Sequence, residues 1–224
     1  MVSSILLSTS CGEADTDLVK TKDSAQKKDI PIEEPKKEVK IGDQVWMAEN
    51  LNVEKFQNGD LIPEAKSDEE WENAAKEKKA VWCYYNNNPQ NAKLYGKMYN
   101  WYAVHDPRGL APKGWKVPTN QDWNTLIAYL GGESIAGKKM KSDNNWVDDI
   151  NKKGNGTNES GFGGTPGGGR RKNGSFNSLG TAGVWWTFKK KGSAWVRSLS
   201  INNDKVDSHS DGKGGGLSVR CIKD

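Results

Sequence analysis

Apolar side chains recur at helical spacing most clearly within GWKVPTNQDWNTLIAYLGG, residues 114–132. Trp123, Leu126, Ile127 and Leu130 fall at i, i+3, i+4 and i+7, one stripe of an α-helix. Thr119 with Asp122 three residues on has capping-box spacing, and Val117, preceding Pro118, is held extended. Gly131 tolerates the left-handed conformation that stops a helix. A second helix is predicted over Asp68–Lys79, where Ser67 and Glu70 repeat the capping box and Trp71, Ala74 and Ala75 form a short apolar face. Its acids lead and its lysines trail, the order the helix dipole favours.

Elsewhere the pattern is that of short strands. VKIGDQVWM places apolar residues around Gly42-Asp43, a two-residue hairpin signal. Further strands are predicted over Val81–Tyr85, Lys97–Val104, Val184–Phe188, Ala194–Ile201 and Leu217–Ile222. Between them, residues 131–183 are rich in Gly, Asn, Asp, Ser and Lys, with Met140, Trp146 and Phe162 isolated. So long an irregular stretch in a compact domain is often functional. These elements predict a loop-rich α+β domain over residues 39–224.

Composition divides the chain. Residues 12–38 carry mixed charge and scattered prolines with almost nothing to build a core, and read as a solvated linker. All ten tryptophans lie after residue 45. The net charge of +4, with both signs intermixed, lacks the basic stripe a nucleic acid would require. At the start, Ile5-Leu6-Leu7 and the small Ser8–Ser10 precede Cys11, which resembles a lipoprotein processing site. Residues 1–11 are therefore read as the remnant of a lipoprotein signal peptide, Cys11 as the lipidated residue, and the lipid as the membrane anchor. No other stretch approaches the ~18 apolar residues of a membrane span.

The motif G-W-K-V-P-T-x-x-D-W followed by L-x-x-Y-L-G-G resembles the signature of the Fibrobacter succinogenes major paralogous domain, a domain of bacterial surface lipoproteins. IGDQVWMAENLN (41–52), WCYYNNNP (82–89), YGKMYNWYAV (95–104), TNESGFGGTPGG (157–168), VWWTF (184–188) and GGLSVRCIKD (215–224) match in order. The resemblance implies a C-type-lectin-like fold, related to the formylglycine-generating group, with two helices, short antiparallel strands and long loops. It also implies an exported protein at the outer membrane or cell surface.

In that compartment Cys83 and Cys221 are expected to form a disulfide; the alternative is a pair of buried thiols. The formylglycine-generating relatives use two cysteines near the C-terminus, and here Cys221 stands there alone, which argues against their chemistry. His105 and His209 have no metal-ligand spacing to another His or Cys. Calcium, which needs 6–8 oxygens, has candidates in Asp204, Asp207 and Asp211. The run 161–169, GFGGTPGGG, lacks the GK[ST] of a phosphate loop, and Arg170-Arg171-Lys172 reads as a solvated basic tip.

Aromatics are the remaining signal. Trp101, Trp185, Trp186 and Trp195 are the candidate ligand-binding residues, since an exposed indole offers a face on which a sugar ring stacks. Trp185 and Trp186 are adjacent, so on a strand they face opposite sides: one is core, the other lies on a second buried face or is exposed. The expectation is a non-catalytic module that binds a glycan or a cell-surface protein. A structural surface protein without a small ligand and a divergent enzyme are the alternatives.

Overall fold

A computed structural model describes residues 38–150, 153–189 and 193–224. The expected leader 1–11 with Cys11, and the linker 12–38 except Glu38, lie outside the described residues. The chain runs through β1 (Glu38–Ile41), β2 (Gln44–Met47), α1 (Asp68–Glu77), β3 (Trp82–Cys83), α2 (Ala92–Tyr95) and β4 (Met98–Asn100). It continues with α3 (Trp101–Val104), β5 (Trp115–Lys116), α4 (Asn120–Tyr129), α5 (Glu133–Met140), β6 (Gly169–Arg170) and β7 (Phe176–Asn177). β8 (Ala182–Thr187), β9 (Ala194–Ser200), β10 (Asp207–Asp211), β11 (Gly216–Leu217) and β12 (Ile222–Lys223) complete it.

The strands make three antiparallel sheets, ordered β1-β2-β12-β5, β10-β9-β8 and β3-β4-β11-β6-β7. This corrects the α+β, C-type-lectin-like expectation: the described residues form a β-rich fold of twelve strands, with five short α-helices. Six of the strands are two residues long, too short to show the period of two by which a strand is recognised in sequence. They are held by tertiary pairing, as where Ile222 at the chain's end bonds between Trp46 and Lys116. The hairpin forms as expected, Ile41 opposite Gln44, with Gly42 at φ +61° in the turn. The strand expected over Lys97–Val104 stops at Asn100, whose side chain caps α3 by accepting from the Ala103 amide.

The two longer predicted helices are present with both capping boxes. In α1, Ser67 accepts from Glu70 N, and the Glu70 carboxylate returns to Ser67 N at 3.3 Å. In α4, the Asp122 carboxylate accepts from Thr119 N at 2.8 Å. Trp123, Leu126 and Ile127 are fully buried, each contributing about 1.5–3 kcal/mol of hydrophobic stabilisation. They enter a cluster with Trp46, Phe162, Trp185 and Leu199. A separate cluster gathers Trp82, Tyr99, Trp101, Trp115, Trp186, Val196 and Cys221. β8 divides the two, sending Trp185 into one and Trp186 into the other. α5, not expected from the sequence, follows α4 after Gly131 and Gly132. Gly137 weakens it intrinsically, yet a Cβ there would stand 2.4 Å from the Lys205 carbonyl, so the helix needs glycine to receive the 204–205 backbone.

Candidate functional site

Nine of the ten tryptophans are buried, among them Trp101, Trp185 and Trp186. This corrects their reading as ligand-stacking residues. Trp185 Nε1 donates to Asn50 Oδ1 at 2.8 Å, and Trp186 Nε1 donates to the Tyr99 carbonyl at 2.7 Å. Their polar edges are thus spent inside the core, the usual condition of a buried indole. Trp195 on β9 is half-buried, with Lys189 Nζ 5.6 Å from its ring.

The expected disulfide is absent: Cys83 and Cys221 are free, buried thiols in different apolar clusters. Burial pushes the Cys83 thiol up to about 11 against a smaller downward pull from Arg170, and the Cys221 thiol up to about 12. Neither supplies a thiolate nucleophile at neutral pH. A thiol-reactive dye should leave both untouched at pH 8 until urea unfolds the domain. The folded state holds these protons more tightly than the ordinary value of 9.0, so the thiols' share of stability is present below about pH 9. It is lost as pH rises through about 11 and 12, and the urea midpoint should fall over that window. Prompt labelling of Cys83 or Cys221 in the native protein at pH 8, read by peptide mapping apart from Cys11, would contradict this burial.

The calcium candidates do not converge. Asp204 lies 3.8 Å from Lys141 Nζ, and that buried ammonium also donates to the carbonyls of Ser200 and Asn203 at 3.1 and 3.0 Å. A lysine therefore takes the cation's place in this loop. Asp207 and Asp211 stand at opposite ends of the exposed β10, four residues or about 13 Å apart. Among the described residues no group of three or more His, Cys, Asp or Glu is placed to hold a metal ion. No helix among them is long and apolar enough to cross a membrane.

Two arginines that read as solvated or unremarkable are internal. Arg170, expected in a basic tip, is buried between the rings of Trp71 and Phe176. It donates to Gly174 O, Ala65 O, Ser67 O and Asp68 Oδ1 at 2.8–3.1 Å, tying β6 to the start of α1. Arg220 is fully buried, and desolvation pulls its pKa down. Its guanidinium donates to Asn50 Oδ1 at 2.8 and 3.1 Å, to Met47 O at 3.2 Å and to Phe162 O. Asn50, Phe162, Trp185 and Arg220 come from four of the motifs on which the family resemblance rests. These four side chains meet in a buried polar hub.

The open site is elsewhere. A groove of about 720 Å³ runs between the 104–111 loop, β5 with Val117 and Thr119, and Phe188 after β8. His105 and Phe188 form its aromatic ledge, their rings stacked at 5.1 Å and 13°. The ledge is braced from below: Trp101 packs on His105 at 5.2 Å and on Trp186 at 5.5 Å. His105 Nε2 lies 2.9 Å from the Lys189 carbonyl, which assigns the donated proton to Nε2. Gln57, Asp106, Lys116, Thr119 and Asp224 supply polar groups around the apolar Val104, Leu110, Trp115 and Val117. A smaller hollow of about 380 Å³ adjoins across Gln57, Leu110 and Ala111.

Arg108 fixes the wall between them. It bonds both Asp106 oxygens at 2.8 and 2.9 Å and Asp60 at 3.0 Å, while its guanidinium lies 4.1 Å over the Phe56 ring. The bond from Arg108 holds the Asp106 carboxyl below its ordinary range. In the sequence His105 is weighed only as a metal ligand, and Phe188 only as the last residue of an expected strand. The available signal was the turn chemistry of Asp106-Pro107-Arg108-Gly109 after an aromatic run.

Neither a curated protein nor a solved structure matches the chain. The model of the Fibrobacter succinogenes major domain matches residues 39–223, from the first hairpin to the strand that closes its sheet. The chain therefore belongs to the Fibrobacter succinogenes major domain family.

Proposed function

We propose that this is an exported protein, anchored through a lipid on Cys11 at the outer membrane or cell surface, whose domain is a non-catalytic module binding a glycan. The observation that supports the reading is the His105–Phe188 ledge in the groove. An aromatic face below and hydrogen-bonding groups at the rim suit a sugar, which has apolar C–H faces and a hydroxylated edge. Asp106 and Lys116 provide an acceptor and a donor at opposite charge.

The test is a glycan array probed with the domain and with Phe188→Ala and His105→Ala variants. Binding that falls tenfold or more in both, with Trp195→Ala unaffected, is the expected outcome. Binding insensitive to Phe188 and His105, no glycan retained, or retention of a cell-surface protein alone would each overturn the glycan reading.

A further inference from the structure

Lys97 enters β4 from a turn at Gly96 and carries its side chain into the protein, where 3% of it is exposed. Nζ lies 4.4 Å from the Trp82 ring centroid and 4.8 Å from that of Tyr84. It is 2.6 Å from Asn52 Oδ1 and 3.3 Å from Glu54 Oε1. An amine, a carboxamide and a carboxylate therefore meet at one point against two aromatic faces. Lys141, the other deeply buried lysine described above, faces the backbone carbonyls of Ser200 and Asn203, which hold an ammonium but do not acylate it. Lys97 faces a side-chain carboxamide. The Asn52 carbonyl carbon is one C=O bond from Oδ1, which puts it within about 3.8 Å of Nζ, close to attack distance.

We propose that Lys97 and Asn52 join in an intramolecular isopeptide bond, with Glu54 as the proton carrier. Glu54 takes a proton from the Lys97 ammonium, and the lone pair so freed attacks Cγ of Asn52. The new C–N bond gives a tetrahedral intermediate. Glu54 passes its proton to Nδ2, the Cγ–Nδ2 bond breaks, and the departing ammonia takes the remaining extra proton from the former Nζ and leaves as ammonium. Carboxamide and ammonium become a secondary amide and one ammonium ion, with no oxidant, nucleotide or metal consumed. Glu54 side-chain exposure of 56% gives the ammonia a path to solvent. The product closes residues 52–97 into a covalent ring that spans α1, β3 and α2 and ties Asn52 to the start of β4.

The test is a tryptic map of the full-length protein by mass spectrometry. The expected product joins peptide 41–55 to peptide 94–108, uncut after Lys97, and is lighter than the sum of the two by one ammonia, about 17 Da. Glu54→Gln should fold and yield the two peptides mostly separate. Full recovery of unlinked peptides from the wild type, with cleavage after Lys97, would overturn the bond. So would an Asn52 peptide about 1 Da heavier beside a free Lys97, since water would then have taken the carbonyl. Equal linkage in Glu54→Gln would remove Glu54 from the step.

Discussion

An Asn50→Ala variant is expected to lose about 3–5 kcal/mol of folding stability, the range for breaking a buried charged network by removing one partner. Asn50 Oδ1 accepts from Trp185 Nε1 and twice from Arg220, while Nδ2 donates to the Tyr95 carbonyl at 3.0 Å and to Ser218 Oγ at 3.3 Å. One small side chain thus satisfies an indole and a guanidinium that water does not reach. Alanine would leave the Arg220 guanidinium bonded to the carbonyls of Met47, Phe162 and Gly163 and would remove the acceptor of Trp185 Nε1. In a domain of this size each kcal/mol shifts Tm by about 2–4 °C, so the melting point should fall by roughly 6–20 °C. Urea denaturation with the same m-value would confirm a loss of stability and not of compactness. A shift under about 2 °C would mean that the hub is not a determinant of the fold.

Trp185→Ala and Trp186→Ala are each expected to cost about 3–5 kcal/mol, as emptying a large buried site does. The two indoles lie on opposite faces of β8, yet both are buried, because α4 and Phe162 cover one face while Tyr99 and Trp101 cover the other. Trp186 also bears indirectly on the groove: it supports Trp101, which supports His105, so its loss should loosen the ledge along with the core. Trp195→Ala, at a half-buried position, should cost only about 1 kcal/mol. Urea midpoints of the three variants separate these outcomes. A Trp186→Ala protein with a wild-type midpoint but no ligand binding would restore Trp186 as a contact residue.

The legible parts of the fold are those whose signals are local. Thr119 with Asp122, and Ser67 with Glu70, encode helix starts in four residues each, and both boxes close as read. The hairpin turn at Gly42 is local in the same sense. The strand content was underestimated because a two-residue strand such as β5 or β12 carries no periodicity of its own. The site was misplaced for a related reason. Sequence shows which residues are aromatic but not which face of β8 is covered, so the buried Trp185 and Trp186 read as candidates while Phe188, just after the same strand, does not.

The sequence by itself determined the domain's extent from residue 39, its family, its two capped helices and the apolar stripe of α4. Each of these rests on near neighbours in the chain, whose spacing is fixed by helix and turn geometry. Only the tertiary structure decided that Cys83 and Cys221 sit apart as thiols, that Arg170 and Arg220 are internal, and that His105 stacks on Phe188 at the groove. It also brought Asn52, Glu54 and Lys97 together, residues 45 apart at the widest. These are meetings between distant segments, and their energy lies in burial and desolvation, which depend on what the rest of the chain places around each group.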